Sequence, residues 1–195
     1  GDIVLDPFVG SGTTLVESRL LGVRAIGIEV CPLSALISRT KSKFPKSTSS
    51  LELHIASLTN FYTEKFNGFI KDRPIDAISY EEILARPGNT IEKFVNYEKW
   101  FSKEALIGTS IVVEFAETLK GYDRDFLCCA LSACMRSIGN VEVDVIRAEY
   151  SKKPRVNVDV LKLVKRALVS MIKEVNDMNK SHNDLISSPE DITVM

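Results

Sequence analysis

The stretch Asp6-Pro7-Phe8-Val9-Gly10-Ser11-Gly12-Thr13-Thr14 decides the fold of this 195-residue chain. It follows Ile3-Val4-Leu5, an apolar run of β-forming residues that predicts a strand buried on both faces of a parallel sheet. Helical spacing then covers residues 13–21, and residues 24–29 form a second apolar run that ends on Glu29. A strand, a glycine turn, a helix and a strand in this order predict a βαβ unit of an α/β sheet.

Composition excludes several classes of protein. The chain is 45% hydrophobic and 26% charged, which is typical of a soluble globular protein. Its net charge of −1 creates no overall field for nucleic acid or membranes, so any such binding must be regional. No apolar run approaches the roughly 18 to 20 residues that span a bilayer, and the N-terminus lacks the pattern of a signal peptide. These features predict a cytoplasmic protein without membrane contact.

The cysteines and histidines predict no metal site. No Cys-x-x-Cys pair occurs, and His54 and His182 each stand alone in the sequence. We expect the cysteines to be reduced thiols of the core, because three of the four lie in one apolar segment. They are Cys31, Cys128, Cys129 and Cys134.

Residues 7–12, the glycine loop, are compatible with more than one kind of ligand. Glycines let a ligand approach the backbone, and the following helix offers free N–H groups. A P-loop requires a lysine directly after its last glycine, but Thr13 follows Gly12 here. A dinucleotide fingerprint requires a third glycine where Leu15 stands, although Glu29 lies at nearly the right spacing for a ribose-binding acid. Both alternatives fit less well than a third.

Residues 6–14 closely resemble the Asp-Pro-Phe-x-Gly-Ser-Gly-Thr-Thr motif of the S-adenosylmethionine-dependent DNA amino-methyltransferases. These enzymes methylate the exocyclic nitrogen of adenine or cytosine. The resemblance continues over residues 27–35, where Gly-Ile-Glu precedes a helix that Pro32 begins, and it covers about a fifth of the chain. It implies a Rossmann-like α/β fold, S-adenosylmethionine as cofactor, DNA as partner, and a role in DNA methylation of the restriction-modification type.

The resemblance also implies which residues bind the cofactor. In this family the motif holds the methionine part, the acid that ends the second strand binds the ribose hydroxyls, and the residues after it flank the adenine. The chemistry agrees, because a carboxylate suits a ligand with an ammonium and a sulfonium, and it accepts two hydroxyl protons. The predicted cofactor-binding residues are Asp6, Pro7, Phe8, Gly10, Ser11, Gly12, Thr13, Thr14, Glu29, Val30 and Cys31.

The catalytic motif of the family is absent from this sequence. That motif, Asp/Asn/Ser-Pro-Pro-aromatic, holds the target amino group and stacks on the flipped base. No Pro-Pro pair occurs, and the nearest string, residues 187–190, lacks both the second proline and the aromatic residue. We therefore nominate no catalytic residue. Because strand patterns stand at both ends, we expect a piece of a larger methyltransferase, inactive alone, whose remainder carries the motif on either side.

A long segment separates Glu29 from the strand pattern that starts at Ile192. A connection from the second to the third strand of a simple α/β sheet, through one helix, would need only roughly 20 to 30 residues. We predict a cofactor-binding βαβ unit over residues 1–45, an α-helical insertion over 46–190, and the start of a further strand over 191–195. Apolar spacing predicts helices over residues 51–69, 81–85, 105–119, 126–138 and 157–178, with Ser102 and Asp123 as N-caps. These helices are predicted to form a bundle. An aromatic group is predicted to pack between this bundle and the sheet: Tyr97, Trp100 and Phe101.

Charge is distributed unevenly along the chain. Residues 72–125 contain 11 acids and 7 bases, whereas residues 146–166 contain seven bases and two acids. The second excess predicts contact with nucleic acid through Lys152, Lys153 and Arg155. Two alternatives stay open: an RNA methyltransferase that modifies tRNA guanine, and a non-catalytic interaction module that retains the fold.

Overall fold

The computed structural model describes residues 2–142, 149–151, 155–181 and 192–195. It confirms a mixed α/β chain with a small parallel sheet and mostly helices. The strands are β1 (Ile3–Asp6), β2 (Arg24–Gly27) and β3 (Ile192–Val194). The helices are α1 (Thr13–Leu20), α2 (Pro32–Lys41), α3 (Ser49–Ile70), α4 (Tyr80–Leu84), α5 (Tyr97–Trp100), α6 (Lys103–Thr118), α7 (Gly121–Ile138) and α8 (Val160–Ser181), with a 3-10 turn at Ile75–Ala77.

The three strands form one parallel sheet in the order β1-β2-β3. The predicted βαβ unit and the predicted strand at Ile192 are therefore both present. A small core of Val9, Leu15 and Ala25 lies between the sheet and α1. Parallel pairing needs a crossover between strands, and here α2 and the remaining helices all fall between β2 and β3.

Strand β1 is more exposed than its sequence predicts. Ile3 and Leu5 are 52% and 59% exposed, while Val4 between them is half-buried. Successive side chains of a strand point to opposite faces, so Val4 faces the core with α1 and the other two face away from it. The expectation of burial on both faces is wrong for β1, because within the described residues nothing covers the second face fully.

The long helices form a second and larger core. Helices α3, α6, α7 and α8 contribute fully buried side chains, among them Leu58, Ile111, Ala130 and Val164. Ser102 caps α6 as predicted, since its hydroxyl accepts a hydrogen bond from Ala105 N at 3.2 Å. Within the described residues, no helix is both long enough and apolar enough to cross a membrane.

Helices α7 and α8 differ most from the predicted helix starts. Helix α7 begins at Gly121, so Asp123 lies in its first turn and is not the cap. Its carboxylate instead contacts His54 Nε2 on α3 at 2.9 Å, a partner far away in sequence. Helix α8 begins at Val160, where Asp159 accepts a hydrogen bond from Lys162 N at 2.9 Å, so Asn157 lies outside the helix.

The aromatic group of Tyr97, Trp100 and Phe101 does not pack between the helical bundle and the sheet. Tyr97 is buried in the helical core, Phe101 packs against that core, and Trp100 contacts Tyr150 with ring centroids 4.2 Å apart. That prediction is wrong, because apolar spacing identifies a buried side chain but not the element that buries it.

Helices α2 and α7 connect the sheet unit to the helical core. Arg39 Nε lies 3.0 Å from an Asp125 oxygen, and Cys129 Sγ lies 3.9 Å from the carbonyl oxygen of Leu36. Cys129 and Cys134 are buried as predicted, and Cys128 is half-buried. The prediction of a core thiol is wrong for Cys31, which is exposed at the start of α2.

Replacing Gly108 with alanine is expected to lower the free energy of unfolding by about 1 to 3 kcal/mol, despite alanine's better helix propensity. A Cβ at this position in α6 would lie 2.5 Å from Tyr62 Oη and 2.8 Å from Val160 Cβ. Gly68→Ala on α3 is the matched control, because no atom lies within 4 Å of its Cβ, and it should gain up to about 1 kcal/mol. Urea unfolding measures both, and equal values would contradict the close packing at Gly108.

Candidate functional site

The glycine loop connects β1 to α1 and is held against the end of β2. Gly10 and Gly12 both adopt left-handed backbone conformations, with φ of 53° and 87°. Val9 N donates to Ile28 O at 3.1 Å, and Ile28 N donates to Asp6 O at 2.9 Å. These hydrogen bonds continue the pairing of the two strands past their ends, so the loop lies at the carboxyl edge of the sheet.

Gly12 also lies against α2. A Cβ on Gly12 would lie 2.7 Å from Ser38 Cα and 2.8 Å from Ser38 Cβ, and Ser38 is fully buried. The sequence predicts that this glycine lets a ligand approach the backbone. In the structure, Gly12 is also required where the start of α1 packs against α2.

The Glu29 carboxylate joins the glycine loop to the start of α2. Its Oε2 accepts a hydrogen bond from Gly10 N at 2.9 Å, and its Oε1 accepts one from Cys31 N at 2.8 Å. The main chain of Glu29 also donates to Met195 O at 3.0 Å, next to β3. Each carboxylate oxygen has a second lone pair, so both oxygens can still accept a hydrogen bond from a ligand.

Asp6 places a second carboxylate at the same edge. Hydrogen bonds from the Thr14 hydroxyl and from Phe8 N lower the pKa of Asp6 below its usual value. The Phe8 N to Asp6 Oδ1 distance is 3.0 Å. Asp6 is therefore charged at neutral pH, and no base stands among the predicted cofactor-binding residues. This edge of the sheet favours a ligand that carries positive charge.

Large apolar side chains beside the loop are left open. Phe8 is 89% exposed and Val30 is 93% exposed, although both are residues that proteins usually bury.

Hydrogen bonds from the backbone and hydroxyl of Ser34 and from Leu33 N lower the pKa of the exposed Cys31 thiol.

The structure brings the eleven predicted residues together around the loop and the ends of β1 and β2. Pro7, Phe8, Ser11, Thr13, Val30 and Cys31 are exposed, Asp6, Gly10, Thr14 and Glu29 are half-buried, and Gly12 is buried. What the sequence did not reveal is the pair of hydrogen bonds by which Glu29 joins the loop to the start of α2. The bond from Cys31 N is local, but the bond from Gly10 N depends on the tertiary placement of β2 beside the loop, for which a sequence carries no direct signal.

Arg155 is the predicted nucleic-acid residue that the structure describes, and it lies on a different surface from the glycine loop. Lys152 and Lys153 lie outside the described residues. Arg155 N donates to Asn140 Oδ1 at 2.8 Å, and the Arg155 guanidinium donates to Ser137 O. Arg155 lines a surface cavity together with Lys162 and Arg166, which belong to the basic excess of residues 146–166 but are not among the predicted nucleic-acid residues. Their spacing of four residues on one helix was the available signal.

A separate cavity of about 420 Å³ lies between α2, α7 and α8. Its lining is mainly apolar, and it includes Phe44, Phe126 and Met171. None of the predicted site residues lines it, so we do not associate it with the glycine loop.

The beginning of the chain matches a known family. The family described as DNA methylase matches residues 1–32. The type II methyltransferase M.MjaII of Methanocaldococcus jannaschii is 51% identical over 41 residues, which is 21% of this chain and 8% of that protein. M.BsoBI of Geobacillus stearothermophilus is 48% identical over 42 residues, 22% of this chain and 8% of that protein.

One match is long enough to include much of the helical part. The type II methyltransferase M.MvaI of Kocuria varians is 28% identical over 142 residues, 69% of this chain and 27% of that protein. The chain thus spans between a twelfth and about a quarter of the length of these relatives. No solved structure matches it. The matches confirm the resemblance that residues 6–14 carry.

Proposed function

We propose that this chain, whose opening segment is that of a DNA amino-methyltransferase, is the S-adenosylmethionine-binding part of such an enzyme. The full enzyme would methylate an exocyclic amino group of adenine or cytosine in DNA, within a restriction-modification system. One observation carries the proposal: the Glu29 carboxylate lies between the glycine loop and α2 with lone pairs still available, among predicted cofactor-binding residues of which none is basic. A positively charged nucleoside ligand fits this site better than a phosphate does.

Each part of the cofactor has residues suited to hold it. The glycine loop with Asp6 would hold the methionine part, whose ammonium complements the carboxylate. Glu29 would accept the ribose hydroxyls. Val30 and Cys31 would flank the adenine, and a ligand there would cover apolar surface that is now open to solvent. When bound, the cofactor supplies the electrophilic methyl group.

The packing of Leu15 disfavours the dinucleotide alternative. Leu15 occupies the position of the third glycine of that fingerprint, and its side chain is fully buried in the sheet core. That glycine serves close packing of helix and strand, whereas the leucine here fills the space between them. The site is therefore better described by a methyl-donor motif than by an NAD motif.

The wider organisation is also part of the proposal. We assign residues 1–45 and 191–195 to a Rossmann-like sheet unit and residues 46–190 to a helical insertion, because sheet and helices have separate hydrophobic cores. The sequence contains no Pro-Pro pair, so the group that holds the target amino nitrogen would come from another part of the methyltransferase. DNA contact would involve the region of Lys152, Lys153 and Arg155.

Calorimetric titration of the whole chain with S-adenosylhomocysteine tests the proposal. We expect one-to-one binding with a negative heat-capacity change, because adenine and the exposed apolar side chains leave water together. NAD, titrated in parallel, should neither bind nor compete. A folded chain that takes up no S-adenosylhomocysteine would contradict the assignment and favour the non-catalytic interaction module.

A further inference from the structure

A groove at the C-terminal end of α7 concentrates positive charge. This basic groove, of about 540 Å³, is lined by Arg155, Lys162, Arg166, Asp159, Ser137 and three apolar side chains. Lys162 and Arg166 are exposed on successive turns of α8, and Arg155 lies opposite them next to Ser137. Among its described lining residues, three are basic and one is acidic.

The charges of the basic groove are available to a ligand. No ion pair joins Arg155, Lys162 or Arg166 to a carboxylate of the described residues. The acid of the groove, Asp159, accepts a hydrogen bond from Lys162 N at the start of α8, and this bond occupies one acceptor site of its carboxylate. The groove therefore attracts an anion.

The packing of α2 on α7 shows which end of the molecule carries the basic groove. Arg39 contacts Asp125 at 3.0 Å, and Leu36 O contacts Cys129 Sγ at 3.9 Å, so positions fall along α2 as they rise along α7. The two helices are thus antiparallel. Because α2 begins at Pro32, just after the carboxyl end of β2, α7 ends toward the carboxyl edge of the sheet.

Helix geometry gives the distances along this direction. From Cys129 to the end of α7 at Ile138 there are nine residues, or roughly 13 Å, and from Leu36 back to Pro32 four residues, or roughly 6 Å. The end of α7 therefore lies at least level with the start of α2. The basic groove and the glycine loop therefore lie toward the same end of the molecule.

The lining of the basic groove indicates the class of anion. Proteins that bind single strands combine positive charge with aromatic side chains on which bases stack. No aromatic side chain is among the described residues that line this groove. Cations without a stacking partner suit the regularly spaced phosphates of a duplex, which release counterions when they are neutralised.

We propose that Arg155, Lys162 and Arg166 bind the phosphate backbone of duplex DNA and hold it across the end of the molecule that carries the glycine loop. This inference rests on the proposed function, which supplies DNA as the substrate. It adds two residues, Lys162 and Arg166, and a geometric reason for their position: the DNA they hold lies on the side from which the methyl donor site opens.

The test is a double variant, Lys162→Gln with Arg166→Gln, compared with the intact chain. Both side chains are exposed, so the substitutions should leave the fold unchanged. Binding to a short labelled duplex of mixed sequence is measured by anisotropy between about 50 and 200 mM salt. We expect affinity at the lowest salt to fall on the order of tenfold, and the slope of log affinity against log salt to shrink by about 2.

The matched control removes the same charges elsewhere on α8, by Lys173→Gln with Lys180→Gln, and should leave the slope as it is in the intact chain. An unchanged slope in the groove variant, or an equal change in the control, would overturn the proposal. A loss of affinity for single-stranded RNA without a loss for duplex DNA would overturn it in favour of RNA.

Titration of the same samples with S-adenosylhomocysteine separates this inference from the proposed function. The groove variant should bind S-adenosylhomocysteine as tightly as the intact chain does. If DNA binding falls as expected but no sample binds S-adenosylhomocysteine, the groove assignment stands and the cofactor assignment fails. If S-adenosylhomocysteine binds but DNA affinity is unaltered, the groove assignment alone fails.

Discussion

Glu29→Gln is expected to weaken S-adenosylhomocysteine binding by at least about 100-fold, or close to 3 kcal/mol. The amide keeps the size of the carboxylate but has one acceptor oxygen, whereas Gly10 N and Cys31 N both donate to this group. One of those N–H groups would then face the NH₂ of the amide. The ribose hydroxyls would also lose a charged acceptor, and a hydrogen bond to a charged group contributes about 1.5 to 3 kcal/mol.

Glu17→Gln is the matched control for this substitution. Glu17 lies exposed on α1 and undergoes the same loss of charge without touching the glycine loop, so its affinity should stay close to that of the unmodified chain. Calorimetry measures both variants, and urea unfolding separates loss of the ligand contact from loss of the folded loop. Equal affinities for the two variants would show that Glu29 has no role in binding.

Gly12→Ala is expected to lower the free energy of unfolding by about 3 kcal/mol or more. Residues with a side chain rarely adopt its φ of 87°, and the added Cβ would lie 2.7 Å from Ser38 Cα. That neighbour is backbone of a helix, so a change of rotamer cannot relieve the contact. The start of α1 and α2 would have to separate, and the predicted cofactor site between β1 and β2 would change shape with them.

Gly22→Ala separates the two causes. Gly22 also has a positive φ, of 67°, but no atom lies within 4 Å of an added Cβ. Its loss should therefore be limited to the backbone conformation, about 1 kcal/mol. Urea unfolding followed by circular dichroism compares the two variants. A Gly12→Ala chain as stable as Gly22→Ala would contradict the close approach of α1 to α2.

Much of the local structure follows from the sequence because its signals are short-range. The glycine loop, the acid after β2 and the proline that begins α2 each depend on neighbours a few residues away. The same holds for Ser102, whose cap is closed by a backbone N–H three residues later. Asp123 shows the limit, since His54 on another helix competes for its carboxylate and the cap is not formed.

The sequence by itself determined the βαβ unit, the resemblance to DNA amino-methyltransferases and the residues that gather at the carboxyl edge of the sheet. The tertiary structure decided which partners they meet. Glu29 accepts a hydrogen bond from the loop, and Gly12 packs against Ser38. The basic groove lies at the end of α7, toward the edge of the sheet where the loop lies. Periodicity and turn chemistry are properties of a few consecutive residues. The direction in which two helices pack depends on side chains that are far apart in the chain and come together only on folding.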